Sequence, residues 1–259
     1  MRTIILCGGT GTRLKEETEF KPKPMVLIGD KPILWHIMKI YSHYGYNDFI
    51  LALGYKGDYI KEYFLNQKSF TTDFTLNTYT HKTKFYFKNR LETDKFIITF
   101  VNTGLDTLIG ERILQCKKYV PKKDKCFMVT YGDGVADINI KELIKFHVEN
   151  NTVATITGIH PVSKYGLVKI NNSSLVINFH EKPRLTDWVN GGFMVFKKDF
   201  FNYLREGEME HPALKKLVKI KQLSLYRHQG YFMAIDTYRE LEDLNKTWQT
   251  KNPPWKVWT

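Results

Sequence analysis

Apolar and polar residues in the first 66 positions alternate between two kinds of pattern. Ile4 to Cys7 is a continuous apolar run, rich in β-branched side chains, as a parallel strand buried on both faces would be. Ile33, Ile37, Ile40, Tyr41 and Tyr44 then recur at helical spacing. Asp30 stands ready as N-cap, Pro32 fits the first turn, His36 falls on the polar side and Gly45 ends the run. Phe49 to Leu53 reads as a second buried strand and Asp58 to Asn66 as a second helix. Strand, loop, helix, strand, helix predicts a doubly wound α/β sheet with right-handed crossovers.

Residues 69–95 interrupt this rhythm. Thr, Phe, Tyr and Asn dominate there, and Phe85-Tyr86-Phe87 sits among lysines. The stretch predicts an inserted β-hairpin suited to a subunit contact or a lid. Core strands resume at Ile97 to Val101 and Cys126 to Tyr131, with a helix over Glu111 to Tyr119 between them. Val153 to Thr157, Leu167 to Ile170, Leu175 to Phe179, Phe193 to Phe196 and Leu223 to Tyr226 supply further strands, and a last helix starts near Thr237. The tail, 251–259, reads as irregular and anchored by its tryptophans. With no repeat and no low-complexity linker, residues 1–259 are expected to form one domain around a mixed, mostly parallel sheet.

Composition narrows the possibilities without deciding the function. A hydrophobic share of 42% and a charged share of 25% are those of an ordinary soluble globular protein. Cys7, Cys116 and Cys126 form no C-x-x-C pair, which suits a reducing compartment and disfavours structural zinc. The first apolar run is too short for a signal-peptide core or a membrane span, so a cytoplasmic protein with no membrane partner is expected. The net charge of +12 invites a nucleic-acid reading. Its lysines are spread along the chain, however, and no block of five or six like charges appears. Small phosphorylated substrates account for a positive surface equally well, and no nucleic-acid partner is expected.

The sharpest chemical signal is Leu6-Cys7-Gly8-Gly9-Thr10-Gly11-Thr12-Arg13-Leu14, followed by Lys21-Pro22-Lys23-Pro24-Met25. A strand that empties into glycines lets backbone N–H groups close on an anion, and Arg13 and Lys23 add fixed positive charge. Leu14 stands where a dinucleotide fingerprint needs its third glycine, and no Gly-Lys-Ser/Thr triplet marks a P-loop. A plain strand-to-helix turn would explain the glycines but not the two cations. Asp133, between Gly132 and Gly134 at the end of an apolar strand, faces the ligand crevice of an open sheet. Magnesium takes one or two carboxylates plus phosphate oxygens, and Asp236 is the candidate partner, unless it merely caps the helix at Thr237. Glu181-Lys182-Pro183 and Asn190-Gly191-Gly192 suit a phosphorylated, hydroxylated ligand or, equally, a surface loop. No nucleophile motif appears, the histidines show no metal spacing, and His211 and His228 lack evident partners.

In order along the chain, the glycine loop, Lys-Pro-Lys-Pro-Met, Lys31-Pro-Ile-Leu-Trp-His-Ile-Met, Gly54-Tyr-Lys-Gly, Thr130-Tyr-Gly-Asp-Gly-Val-Ala-Asp137, Glu181-Lys-Pro, Asn190-Gly-Gly-Phe and Asp236-Thr resemble the sugar-1-phosphate nucleotidylyltransferases. The Trp-His-Ile-Met, Tyr-Gly-Asp-Gly and Pro-Trp-Lys-x-Trp runs are similar to the cytidylyl branch. The resemblance implies the nucleotide-diphospho-sugar transferase fold. It implies that Leu6, Gly8 and Gly9 hold base and ribose, and that Thr10, Gly11, Thr12 and Arg13 hold the triphosphate with Lys23. Thr103, Arg112 and Gly132 match further nucleotide positions, Asp133 and Asp236 the ligands of Mg²⁺, and Tyr165, Gly166, Glu181, Lys182 and Asn190 the acceptor positions. Arg13, Lys23, Asp133 and Asp236 form the implied catalytic set.

The implied reaction joins CTP to a phosphorylated acceptor, first of all α-D-glucose 1-phosphate, giving CDP-glucose and pyrophosphate in a homo-oligomer. Three departures from the family pattern keep the acceptor open: Glu111 for a glycine, Phe232-Met233 for Trp-Gln, and Glu208-Met209-Glu210-His211. Another sugar 1-phosphate, a polyol phosphate or a phosphorylated amino acid amide such as phosphoglutamine, serving capsule or surface polysaccharide synthesis, remains an alternative. A non-catalytic nucleotide-binding module is the rival from another class, and the retained Arg13, Lys23, Asp133 and Asp236 speak against it.

Overall fold

The computed structural model describes residues 1–86 and 94–258. Seven strands form the central sheet: β1 (Thr3–Cys7), β2 (Asp48–Leu53), β3 (Ile97–Asn102), β4 (Cys126–Tyr131), β5 (Ala154–Ile159), β6 (Val189–Lys197) and β7 (Leu223–Arg227). Their order is β7-β5-β6-β4-β1-β2-β3, and only β6 runs antiparallel to its neighbours. The sheet is therefore mixed and mostly parallel. β1 is buried at every position, as its unbroken apolar run requires.

Six helices cover the two faces: α1 (Ile33–His43), α2 (Gly57–Thr71), α3 (Ile109–Gln115), α4 (Ile140–Asn150), α5 (Glu210–Lys219) and α6 (Tyr238–Trp248). Ile33, Ile37, Ile60, Leu143, Leu241 and Leu244 pack one face of the sheet with Ile5, Leu51 and Val195. Ile113, Ala213 and Leu217 cover the other with Ile4, Leu6, Val129 and Phe196. The parallel strands β1, β2 and β4 end side by side on one edge, where open α/β sheets gather ligands.

Several local expectations give way. Lys31–Pro32 pairs with Leu27–Ile28, so Pro32, in an extended conformation, precedes α1, and Asp30 sits in the hairpin turn instead of capping the helix. His36 is fully buried, not on a polar face. α3 stops at Gln115 and gives way to a 3₁₀ turn over Cys116–Tyr119. Helices α4 and α5 were not anticipated. Asn139, whose side chain accepts from Lys141 N–H and Glu142 N–H, was the overlooked start signal of α4. Within 69–95, α2 runs on to Thr71, and Asp73–Asn77 pairs with Lys82–Tyr86; Phe87 lies outside the described residues. A second hairpin, Leu167–Ile170 with Val176–His180, also stays outside the central sheet, and all nine of its strand residues are exposed. Among the described residues no helix is long and apolar enough to cross a membrane.

The C-terminal tail docks through Trp255, which is fully buried against Tyr231, Trp248 and His36. His36 Nε2 lies 3.0 Å from the Ile28 carbonyl, which only an N–H can satisfy, and Nδ1 accepts from Trp255 Nε1 at 3.4 Å. That pattern fits the neutral ring alone, and burial pushes the imidazole down to about 4. The unfolded chain protonates near pH 6.5, so the contribution of the neutral ring is complete above that value and drains away as the pH falls toward 4. Denaturant titrations should show about 3 kcal/mol lost across this window through His36, and His36→Gln should flatten the slope.

Candidate active site

The glycine loop leaves β1 and turns on Gly11, whose φ of +66° suits glycine. Thr18 Oγ1 bonds the carbonyls of Gly11 and Leu14 at 3.0 and 2.9 Å, fixing the turn that presents Arg13. Beneath it lies Arg112, 5% exposed. Its guanidinium donates to the carbonyls of Leu53 (3.3 Å), Gly104 (2.8 Å), Gly8 (3.3 Å) and Leu105 (2.9 Å) and to Thr103 Oγ1 (2.6 Å). A Cβ on Gly8 would collide with this guanidinium, and one on Gly54 would come within 2.6 Å of Arg112 Nη1 and 2.7 Å of the Gly8 carbonyl. Two glycines of the motif are thus explained by one buried arginine. Thr103, itself buried, donates to the Leu53 carbonyl at 2.6 Å, so it holds Arg112 and does not line the cleft. All five partners of Arg112 are uncharged, which leaves its positive charge to act on whatever enters above the loop.

Asp133 and Asp236 come from segments about a hundred residues apart and meet because a two-stranded ladder joins them. Gly134–Ala136 pairs antiparallel with Phe232–Ala234, and Ile235 N–H donates to the Asp133 carbonyl at 2.9 Å. The far end is fastened by Asp137, whose Oδ1 accepts from Tyr231 N–H at 2.7 Å and lies 3.0 Å from His228 Nε2. His228 therefore has a partner after all. Thr237, not Asp236, caps α6, in a capping box with Glu240. The Asp236 carboxylate is free for the site.

Both carboxylates converge on Lys23, which a 3₁₀ turn between Pro22 and Pro24 presents. Lys23 Nζ is 2.6 Å from Asp133 and 2.9 Å from Asp236, and Arg13 Nη1 is 3.0 Å from Asp236. Burial alone would lower the lysine, but Asp133 and Asp236 raise it above its ordinary value. Burial alone would raise Asp236, but Lys23, then Arg13 and Lys164, hold it below the usual carboxylate range. The arrangement is two anions gathered on one cation. Among the described residues no third His, Cys, Asp or Glu joins them. Two carboxylates that already converge on a cation fit Mg²⁺, which completes its shell with phosphate oxygens and water.

A cleft of about 450 Å³ opens beside this cluster. Leu6, Gly8, Gly9, Thr10, Gly11, Thr12, Arg13, Lys23, Arg112, Gly132 and Asp133 all line it. Pro24, the residue 105–109 segment, Tyr131 and Met209 complete the wall. Tyr131 is fixed by its hydroxyl, 3.0 Å from Glu210 Oε1. Tyr165, Gly166, Glu181, Lys182 and Asn190 do not line this cleft. Tyr165 and Gly166 lead into the exposed Leu167–His180 hairpin, and Glu181 and Lys182 lead out of it. Asn190 begins β6, with its Oδ1 accepting from Gly192 N–H at 3.0 Å.

A family model described as nucleotidyl transferase matches residues 2–249. The chain belongs to the nucleotidyl transferase family. Over their full lengths the chain is 46% identical to the Bacillus subtilis protein named "probable glucose-1-phosphate cytidylyltransferase" and 40% identical to the Salmonella typhimurium glucose-1-phosphate cytidylyltransferase. A solved UDP-glucose pyrophosphorylase with bound UDP-glucose superposes with a TM-score of 0.69 at 18% identity, over 97% of this chain and 99% of that one, and shares the fold.

Two of the departures from the nucleotidyl transferase pattern point away from the cleft. Glu111 accepts from Gly207 N–H at 2.9 Å and from Gln115 at 3.1 Å, tying α3 to the loop before α5. Met233 packs on the core beside Tyr231, so it offers no unpaired replacement for an acceptor contact. Arg112→Lys should lower affinity for a nucleoside triphosphate about tenfold or more, as read by calorimetry, because a single ammonium cannot replace the guanidinium's five bonds.

Proposed function

We propose that this nucleotidyltransferase joins CTP to α-D-glucose 1-phosphate, forming CDP-glucose and releasing pyrophosphate. The observation that carries the reading is full-length identity of 46% and 40% to two proteins named for that activity. The convergence of Lys23, Asp133, Asp236 and Arg13 beside a cleft of nucleotide size supports it. An acceptor phosphate oxygen bonds to the α-phosphorus of CTP while the bond to the β-phosphate bridging oxygen breaks in line. Such transfer needs positioning and charge neutralisation more than covalent chemistry. The glycine loop's N–H groups and Arg13 hold the β- and γ-phosphates, and Lys23 stabilises the charge that grows on departing pyrophosphate. Asp133 and Asp236 would hold Mg²⁺, and the chemistry it would supply is neutralisation of phosphate charge. Glu181, Lys182, Asn190, Tyr165 and Gly166 receive the sugar phosphate from the hairpin side.

A homo-oligomer is part of the proposal. Leu167, Val168, Ile170, Val176, Ile177 and Phe179 are each at least 44% exposed on a hairpin that packs little against its own subunit. We also propose residues 1–259 as one working unit in the cytoplasm, with capsule or surface polysaccharide synthesis as the destination of the product.

Pyrophosphate release from CTP, Mg²⁺ and a panel of sugar 1-phosphates, polyol phosphates and phosphoglutamine tests the assignment. Glucose 1-phosphate should give the highest kcat/KM, and a faster acceptor would displace it. Asp133→Asn should cut turnover by about a hundredfold or more with an unchanged melting curve. Near-normal pyrophosphate release would remove Asp133 from the metal site.

A further inference from the structure

Glu240 faces two parts of the molecule at once. One carboxylate oxygen, Oε2, accepts from the backbone N–H groups of Asp236 at 2.7 Å and Thr237 at 2.8 Å. A capping box requires no more than that. The other oxygen, Oε1, pairs with Lys164 Nζ at 2.9 Å, and Lys164 lies directly before Tyr165 and Gly166. The hairpin that Tyr165 and Gly166 lead into has little else to orient it. Its strand residues are exposed, and its neck is held by bonds between Ser163 N–H and the Pro183 carbonyl and between Leu185 N–H and the Pro161 carbonyl, each 2.9 Å. Arg184, bridged to Val162 across the neck, adds one long contact to the Gln229 carbonyl at 3.5 Å.

We propose that Lys164 and Glu240 are positioning residues that latch the acceptor hairpin against the peptide bearing Asp236, so that one carboxylate sets the distance between acceptor residues and metal ligand. The proposal rests on the acceptor reading given above. Glu240 is only 21% exposed and already fixed by two N–H donors, so the lysine alone gives up freedom on pairing.

The test separates positioning from capping and from direct contact with substrate. Glu240→Gln keeps an amide oxygen for the two N–H groups but loses the charge that holds Lys164. Lys164→Met removes the other half. Each should raise KM for glucose 1-phosphate about fivefold, the ceiling for a single partly exposed pair, with kcat and the KM for CTP within about twofold. The double variant should be no worse than either single one, and Lys164→Arg should restore the acceptor KM to within about twofold. Trypsin cleavage after Lys169, followed without substrates, should quicken about fivefold in both single variants.

An unchanged acceptor KM in Glu240→Gln overturns the latch. So does multiplication of the two effects in the double variant, or an equal rise in the KM for CTP. A defect confined to Lys164→Met would make that lysine a direct ligand of the acceptor and overturn the latch as well. If the wild-type protein turned over no phosphorylated acceptor, the function above would fall while the trypsin comparison still judged the latch.

Discussion

The ammonium of Lys23 between Asp133 and Asp236 is the contact on which the site depends. Two carboxylates gathered in one half-buried place repel each other, and losing either solvent shell is costly, unless a cation compensates both. The chain supplies that cation from a turn stiffened by proline on each side. Remove it, and nothing remains to draw the β4 end and the α6 end into the same cleft except the ladder behind them.

Behind this cluster the positive charge is built in depth. Arg112 makes its five hydrogen bonds to neutral acceptors, and the Glu111 and Asp106 carboxylates nearby favour its charged form. Gly8 and Gly54 are short because this guanidinium lies against them. The loop floor is therefore held by hydrogen bonds from one buried guanidinium.

The two hairpins make a contrast with that floor. Both belong to no large sheet, and the strands of Leu167–His180 are mostly apolar yet exposed. An isolated two-stranded ribbon is marginal in water, which means its geometry comes from what covers it or what fastens its base. In the acceptor hairpin the fastening reaches back to Glu240, and through it to Asp236. The Lys23 cluster is thus housed at the edge of the sheet, and the hairpin at its margin.

How much could be read from residues alone depended on the range of the forces involved. The buried runs of β1, β2 and β4, the glycine turn, the cations Arg13 and Lys23 and the carboxylate of Asp133 were legible because strand periodicity and phosphate chemistry leave local marks. The capping roles of Asp30 and Asp236 were ambiguous locally, and hydrogen bonding to Pro32's strand partner and to Thr237 resolved them. His36 looks polar in a helical wheel, yet a carbonyl from another element and a tryptophan from the far end of the chain make burial tolerable. By itself the sequence determined the core strands, the glycine turn and the charges the loop carries, since those follow from neighbours within a few residues. Only the tertiary structure decided that Thr103 serves Arg112, that His228 serves Asp137, and that Glu111 and Met233 turn away from the cleft, because each partner arrives from a distant segment through packing that no local pattern encodes.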